Sequence, residues 1–197
     1  MDLWINNAGS NGYAFGPLMD QAEEDLVAIV ETNVLGTLLG CREAIRVMRT
    51  QRGGGHVFNM DGAGADGGAT PRFAAYGATK RSLEQLGKSL RSELRAAGVG
   101  NVGVHNLSPG MVTTQLLMAG ADTRVARFFI NVLAEEPATV AAALVPRMRA
   151  APAEARTPLG AIAGGSYIRF LTKPRAYAQI IKRLVRGERK DRYVSED

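Results

Sequence analysis

Cysteine, histidine and tryptophan are scarce in this 197-residue chain, which has one Cys, two His and one Trp. One cysteine excludes an intramolecular disulfide framework, and with only two histidines beside it there is almost no vocabulary for a zinc site. Aromatics make up 6% of the residues, and none interleave with the basic residues in the way base stacking requires, so nucleic acid is not an expected partner. No charge-free run of about 18 apolar residues occurs, so no segment reads as a membrane-spanning helix. The first residues also lack the basic start and apolar stretch of a signal peptide and the Arg/Ser richness of a transit peptide.

Glycine and positive charge are plentiful. There are 23 Gly, and the net charge is +5. The excess gathers near the end, where Arg169, Lys173, Arg175, Lys182, Arg183, Arg186, Arg189, Lys190 and Arg192 face only Glu188 and Asp191. Such a tail reads as a solvated helix face laced with i, i+4 pairs, or as a peripheral contact for an anionic membrane surface or an acidic partner.

Strand and helix patterns alternate along the chain. Leu3-Trp4-Ile5 is a short strand closed by Asn6-Asn7-Ala8-Gly9. Apolar positions Leu26, Ile29, Val30, Val34, Cys41, Ala44, Ile45 and Met48 predict a helix over 23–49, stopped by Gly53-Gly54-Gly55. Residues 56–60 form the next strand, 73–97 a second long helix and 102–107 a third strand ended by Ser108-Pro109-Gly110. Val125, Phe128, Phe129, Val132 and Leu133 make a narrow apolar helical stripe. A helix over 137–150, a surface loop over 150–158, a last strand within 161–171 and a basic helix over 173–192 complete the reading. This alternation predicts one α/β domain with a largely parallel sheet. Cys41, His56 and His105 each lie inside an apolar pattern and read as structural.

The chemistry gathers around Tyr76-Gly77-Ala78-Thr79-Lys80. Tyr and Lys four apart share a helix face, and a nearby ammonium favours the phenolate and lowers the phenol pKa. Such a phenol can give a proton to a carbonyl oxygen as hydride reaches its carbon. Alone the spacing is weak, but it comes with three companions. Asn7-Ala8-Gly9 ends the first strand, where open α/β sheets bind ligands. Asn33 sits within a helix despite poor propensity. Pro109-Gly110-Met111-Val112-Thr113-Thr114 follows the third strand and can offer backbone donors and a hydroxyl to a carboxamide or phosphate. Each companion taken singly is also an ordinary turn or helix residue.

In this order the motifs resemble the short-chain dehydrogenase/reductase family along nearly the whole chain. That resemblance implies a Rossmann-like doubly wound parallel sheet and a nicotinamide cofactor, with NADPH expected. It casts Tyr76 as proton donor, Lys80 as the residue that lowers its pKa and holds the ribose, and Asn33 as anchor of a relay water. Asn7, Ala8 and Gly9 would flank the adenosine side of the cofactor, and Pro109, Gly110, Val112 and Thr114 its nicotinamide half. Longer strings, among them residues 61–67, 70–81, 105–114, 128–134 and 192–194, resemble the narrower family of chlorophyll(ide) b reductases. That likeness implies reduction of the 7-formyl group of chlorophyll(ide) b. It also implies a place on the stromal side of the thylakoid membrane in the chloroplast, and assembly with a second copy or a related reductase. The phenylalanine stripe would then cover a flat apolar macrocycle, or simply pack the core.

Two departures stand out. The family carries a Ser or Thr about a dozen residues before its Tyr, whereas this chain reads Met60-Asp61-Gly62-Ala63-Gly64-Ala65-Asp66. A Ser is expected where Ala65 stands, so Thr70, Asp61 or a water must substitute, or Tyr76 acts alone. The Gly-rich dinucleotide turn and the strands that begin the fold are also not found before Leu3. At roughly 30 residues per βαβ unit, the sheet should therefore start about three strands in, as a fragment of a longer chain. The alternatives are a non-catalytic scaffold subunit of the same descent, or a general reductase of another apolar carbonyl.

Overall fold

The computed structural model describes residues 1–13, 15–154 and 165–196. Four strands, β1 (Leu3–Asn6), β2 (Gly55–Met60), β3 (Val102–Ser108) and β4 (Tyr167–Arg169), form one parallel sheet in the order β1-β2-β3-β4. Register pairs Asn6 with Asn59 and Asn59 with Asn106, so the strands end together along one rim. The central strands β2 and β3 are buried almost throughout because both their faces are covered.

One face packs under α2 (Gly36–Met48) and α3 (Ala74–Ala96), where Cys41, Ala44, Met48 and Leu94 meet Val57, Val102 and Val104. The other face carries Phe58, Leu107, Ile168 and Phe170 against Val140, Leu144, Met148 and Ala151 of α6 (Pro137–Glu154). Among the described residues β1 pairs with β2 alone, and its Trp4 and Ile5 are exposed. The fold class is therefore the expected α/β parallel arrangement. No helix among the described residues is long and apolar enough to cross a membrane.

Helix boundaries differ in instructive ways. The expected 23–49 helix is α1 (Glu23–Val30), a π turn over Glu31–Leu35, and α2. The wide turn falls at Asn33, whose side chain is tied across to another segment. Where a loop over 150–158 is expected, α6 runs on to Glu154, because buried Ala151 holds its last turn in the core despite Pro146 and Pro152. Residues 155–158 lie outside the described residues. So does the 161–164 part of the expected last strand, of which β4 keeps only three residues.

Two short helices, α4 (Gln115–Met118) and α5 (Arg124–Leu133), lie between β3 and α6, and Thr123 Oγ1 caps α5 by accepting from Ala126 N at 3.1 Å. The final helix α7 (Lys173–Arg186) stops six residues short of the expected 192, because Gly187 at φ +68° turns the chain left-handed. Along the α5 stripe Val132 is buried, Phe128 is half-buried, and Val125 and Phe129 are exposed.

Candidate active site

The carboxyl rim of the sheet gathers the loops after β1 and β2 over the start of α3. Lys80, on the second turn of α3, is 3% exposed and its Nζ donates to Met60 O at 3.1 Å. Its ammonium stands 5.6 Å from the centroid of the Tyr76 ring. Gly9 closes against the same group. A Cβ there would lie 3.3 Å from Lys80 Nζ and 3.6 Å from Asn33 Oδ1.

Asn33 is fully buried. Its Oδ1 accepts from Ser10 N at 2.8 Å, while Nδ2 donates to Ser10 O at 2.7 Å and to Thr79 Oγ1 at 3.0 Å. The mid-helix asparagine thus ties the loop after β1 to α3, which accounts for a residue of poor propensity at that place. Asn33, Gly9, Tyr76 and Lys80 are brought together, while Asn7 and Ala8 lie exposed at the end of β1.

The electrostatics reverse one expectation. Burial, with the Asp61 charge adding to it, pushes the Tyr76 phenol up to about 12 instead of down. Burial likewise lowers Lys80, against the pull of Asp61. Removing both groups from water outweighs the favourable approach of ammonium to phenol. Tyr76 therefore keeps its proton at neutral pH, which suits an acid that must deliver one.

A Cβ on Gly62 would overlap the Tyr76 hydroxyl, so Gly62 also faces the phenol. Ala65 is buried, and its carbonyl accepts from Arg81 Nη1 at 2.8 Å. Of the candidate substitutes, Thr70 is turned toward Phe73 O, at 3.3 Å. Asp61 is buried, takes a hydrogen bond from the Tyr167 hydroxyl through Oδ2, and leaves Oδ1 without a partner among the described residues. Burial pushes the Asp61 carboxyl up, although Tyr167, Ser108, Lys80 and Arg169 all pull the other way. Tyr167 had no sequence signal, because only the β3–β4 register carries its hydroxyl to Asp61.

The 109–114 loop leaves the end of β3. Gly110 has φ +72°, and a Cβ there would stand 2.7 Å from Leu171 Cβ, so the turn requires glycine. Val112 forms a parallel bridge with Glu135, Thr113 N donates to Glu135 O at 3.0 Å, and Thr114 is exposed. Asn11 Nδ2 donates to Leu116 O at 3.1 Å, linking the loop after β1 to the segment that follows residue 114.

A comparison with protein families matches this chain over residues 1–125 to the one described as short chain dehydrogenase. The chain belongs to the short-chain dehydrogenase family. It is 58% identical over its whole length to "Chlorophyll(ide) b reductase NOL, chloroplastic" of Arabidopsis thaliana, covering 55% of that protein. With the protein of the same name from Oryza sativa subsp. japonica it shares 55% identity, covering 56% of it. The chain thus spans about half the length of the curated relatives it matches. Among solved structures, 3-ketoacyl-(acyl-carrier-protein) reductase from Brucella melitensis, complexed with NADH, superposes with a TM-score of 0.65 at 25% identity. That match covers 86% of this chain and 66% of the other.

The residues present fit the nicotinamide–ribose end of a dinucleotide. Gly9 leaves open the space beside the buried Lys80 ammonium that a side chain would fill. Lys80 retains two further N–H donors for ribose hydroxyls.

Proposed function

We propose that this short-chain dehydrogenase is an NADPH-dependent carbonyl reductase that converts the 7-formyl group of chlorophyll(ide) b to 7-hydroxymethyl. The observation that carries the reductase reading is a protonated Tyr76 whose hydroxyl lies against Gly62, with buried Lys80 behind it. The 58% identity to a chlorophyll(ide) b reductase supports the choice of substrate. A reduced nicotinamide, when bound, supplies hydride to the formyl carbon. Tyr76 gives its proton to the carbonyl oxygen, so the developing alkoxide leaves as a hydroxyl. Lys80 holds ribose hydroxyls and places positive charge near the phenolate that remains. Asn33 fixes the loop after β1 against α3, which sets Gly9 and Lys80 in register. Within the 109–114 loop, Gly110 and Val112 present main-chain donors to the carboxamide, and Asn7 and Ala8 border the adenosine side.

On this reading Val125 and Phe129 give apolar cover to the macrocycle, while Val132 belongs to the core. The chain works in the chloroplast on the stromal side of the thylakoid, as an oligomer with a second copy or a related reductase. The outward face of α7 sets exposed Tyr177, Ile181, Leu184 and Val185 beside Lys182 and Arg186. That combination suits a peripheral contact with an anionic lipid surface. Co-sedimentation with anionic vesicles and none with zwitterionic ones is expected; equal behaviour with both removes the contact.

The test of function uses chlorophyllide b and NADPH deuterated at the transferred position. The hydroxymethyl product should carry one deuterium on the former formyl carbon. No product, or product without label, would overturn the assignment.

A further inference from the structure

Much of the basic C-terminal charge is used inside the molecule. The Glu135 carboxylate, only 9% exposed, binds Arg189 Nη2 through Oε1 and Arg192 Nη2 through Oε2, each at 2.8 Å. The same guanidinium groups donate to Ala134 O at 2.8 and 3.2 Å. Fully buried Asn131 completes the attachment: Oδ1 accepts from Tyr193 N at 2.7 Å and Val194 N at 3.1 Å, and Nδ2 donates to Val194 O at 2.7 Å. Arg183 and Glu196 close the segment with an ion pair at 2.5 Å, both side chains largely buried.

Glu135 has a second role through its main chain. Its N–H donates to Met111 O at 3.1 Å and its carbonyl accepts from Thr113 N at 3.0 Å, making it the bridge partner of Val112. One residue therefore holds the 111–113 segment with its backbone while the tail holds its carboxylate. An almost fully buried carboxylate with a guanidinium on each oxygen has one good geometry, and losing either partner leaves charge uncompensated.

We propose that residues 189–196 form a positioning strap for the 109–114 loop, with Arg189 and Arg192 acting through Glu135 to fix the loop's main chain. The consequence for catalysis rests on the reading above, in which that loop receives the nicotinamide end of the cofactor. Arg189 and Arg192 are then positioning residues for cofactor binding that touch no reacting atom.

The test compares the full chain with Arg189→Gln/Arg192→Gln, Glu135→Gln and Arg189→Lys/Arg192→Lys. Amide exchange at Thr113 and Glu135 should rise by about tenfold or more in the first two, with β2 and β3 amides unchanged, as local opening requires. KM for NADPH should rise roughly tenfold while kcat stays within about threefold. The lysine pair, which keeps the charge, should recover most of both effects. Unchanged exchange at Thr113 and Glu135, or an equal loss of protection throughout β2 and β3, would overturn the strap. Loosened exchange with an unchanged KM would uphold the strap and overturn the assignment of the loop to the cofactor.

Discussion

Spacing and context single out Tyr76, Lys80 and Asn33, because the reading rests on the side chains themselves, and the structure places the three along one rim. They do not single out Gly62, since its contribution is the space it leaves. Replacing Gly62 with Ala should displace the Tyr76 hydroxyl and lower kcat at least tenfold. The same change should cost roughly 1–3 kcal/mol of stability, as overpacking does, and activity with a urea melt checks both. Ala65→Ser, by contrast, should leave kcat within about twofold, because Ala65 is buried with its carbonyl held by Arg81, whereas Gly62 lies against the phenol. A large rate gain from it would return the missing hydroxyl to residue 65. The direction of the Tyr76 shift was equally hidden, because it depends on burial and on Asp61, which no helical spacing reveals.

At the scale of elements, β2 and β3 are joined by a buried histidine pair. Ser166 N donates to His105 Nδ1 at 3.0 Å, which leaves the His105 proton on Nε2, facing His56 Nδ1 at 2.9 Å. Burial, together with His56 and Arg91, pushes His105 down to about 4. The unfolded chain takes up this proton near pH 6.5 and the folded chain only near 4, so stability falls as pH drops through that window. The loss should reach about 3 kcal/mol at its upper bound. Urea midpoints between pH 7 and 4.5 should show it, and His105→Gln should flatten the slope; an unaltered slope contradicts the pairing.

The histidines read as structural from the apolar strand around them, but their partnership needed the strand register. Helix ends were hidden for related reasons. A buried Ala151 carries α6 past the expected loop, and a left-handed Gly187 ends α7 early. The strap's arginines could not be separated from a solvated basic face, because Glu135 lies more than fifty residues away in sequence.

Across the whole molecule, the alternation of strand and helix sufficed to read a parallel sheet, and the carboxyl rim collects the motifs that spacing alone had singled out. Among the described residues β1 is an edge strand with exposed Trp4 and Ile5, a ready template for pairing with another chain. Sedimentation velocity on the 197-residue chain should show concentration-dependent association that Ile5→Lys reduces. The central claim, however, is that Tyr76 is the acid of a carbonyl reductase. The most direct test is the rate of chlorophyllide b reduction by the full chain and by Tyr76→Phe at saturating NADPH. Tyr76→Phe should fold normally and lose about 10²- to 10⁴-fold in kcat, the usual contribution of a positioned acid; equal turnover by the two would contradict the account.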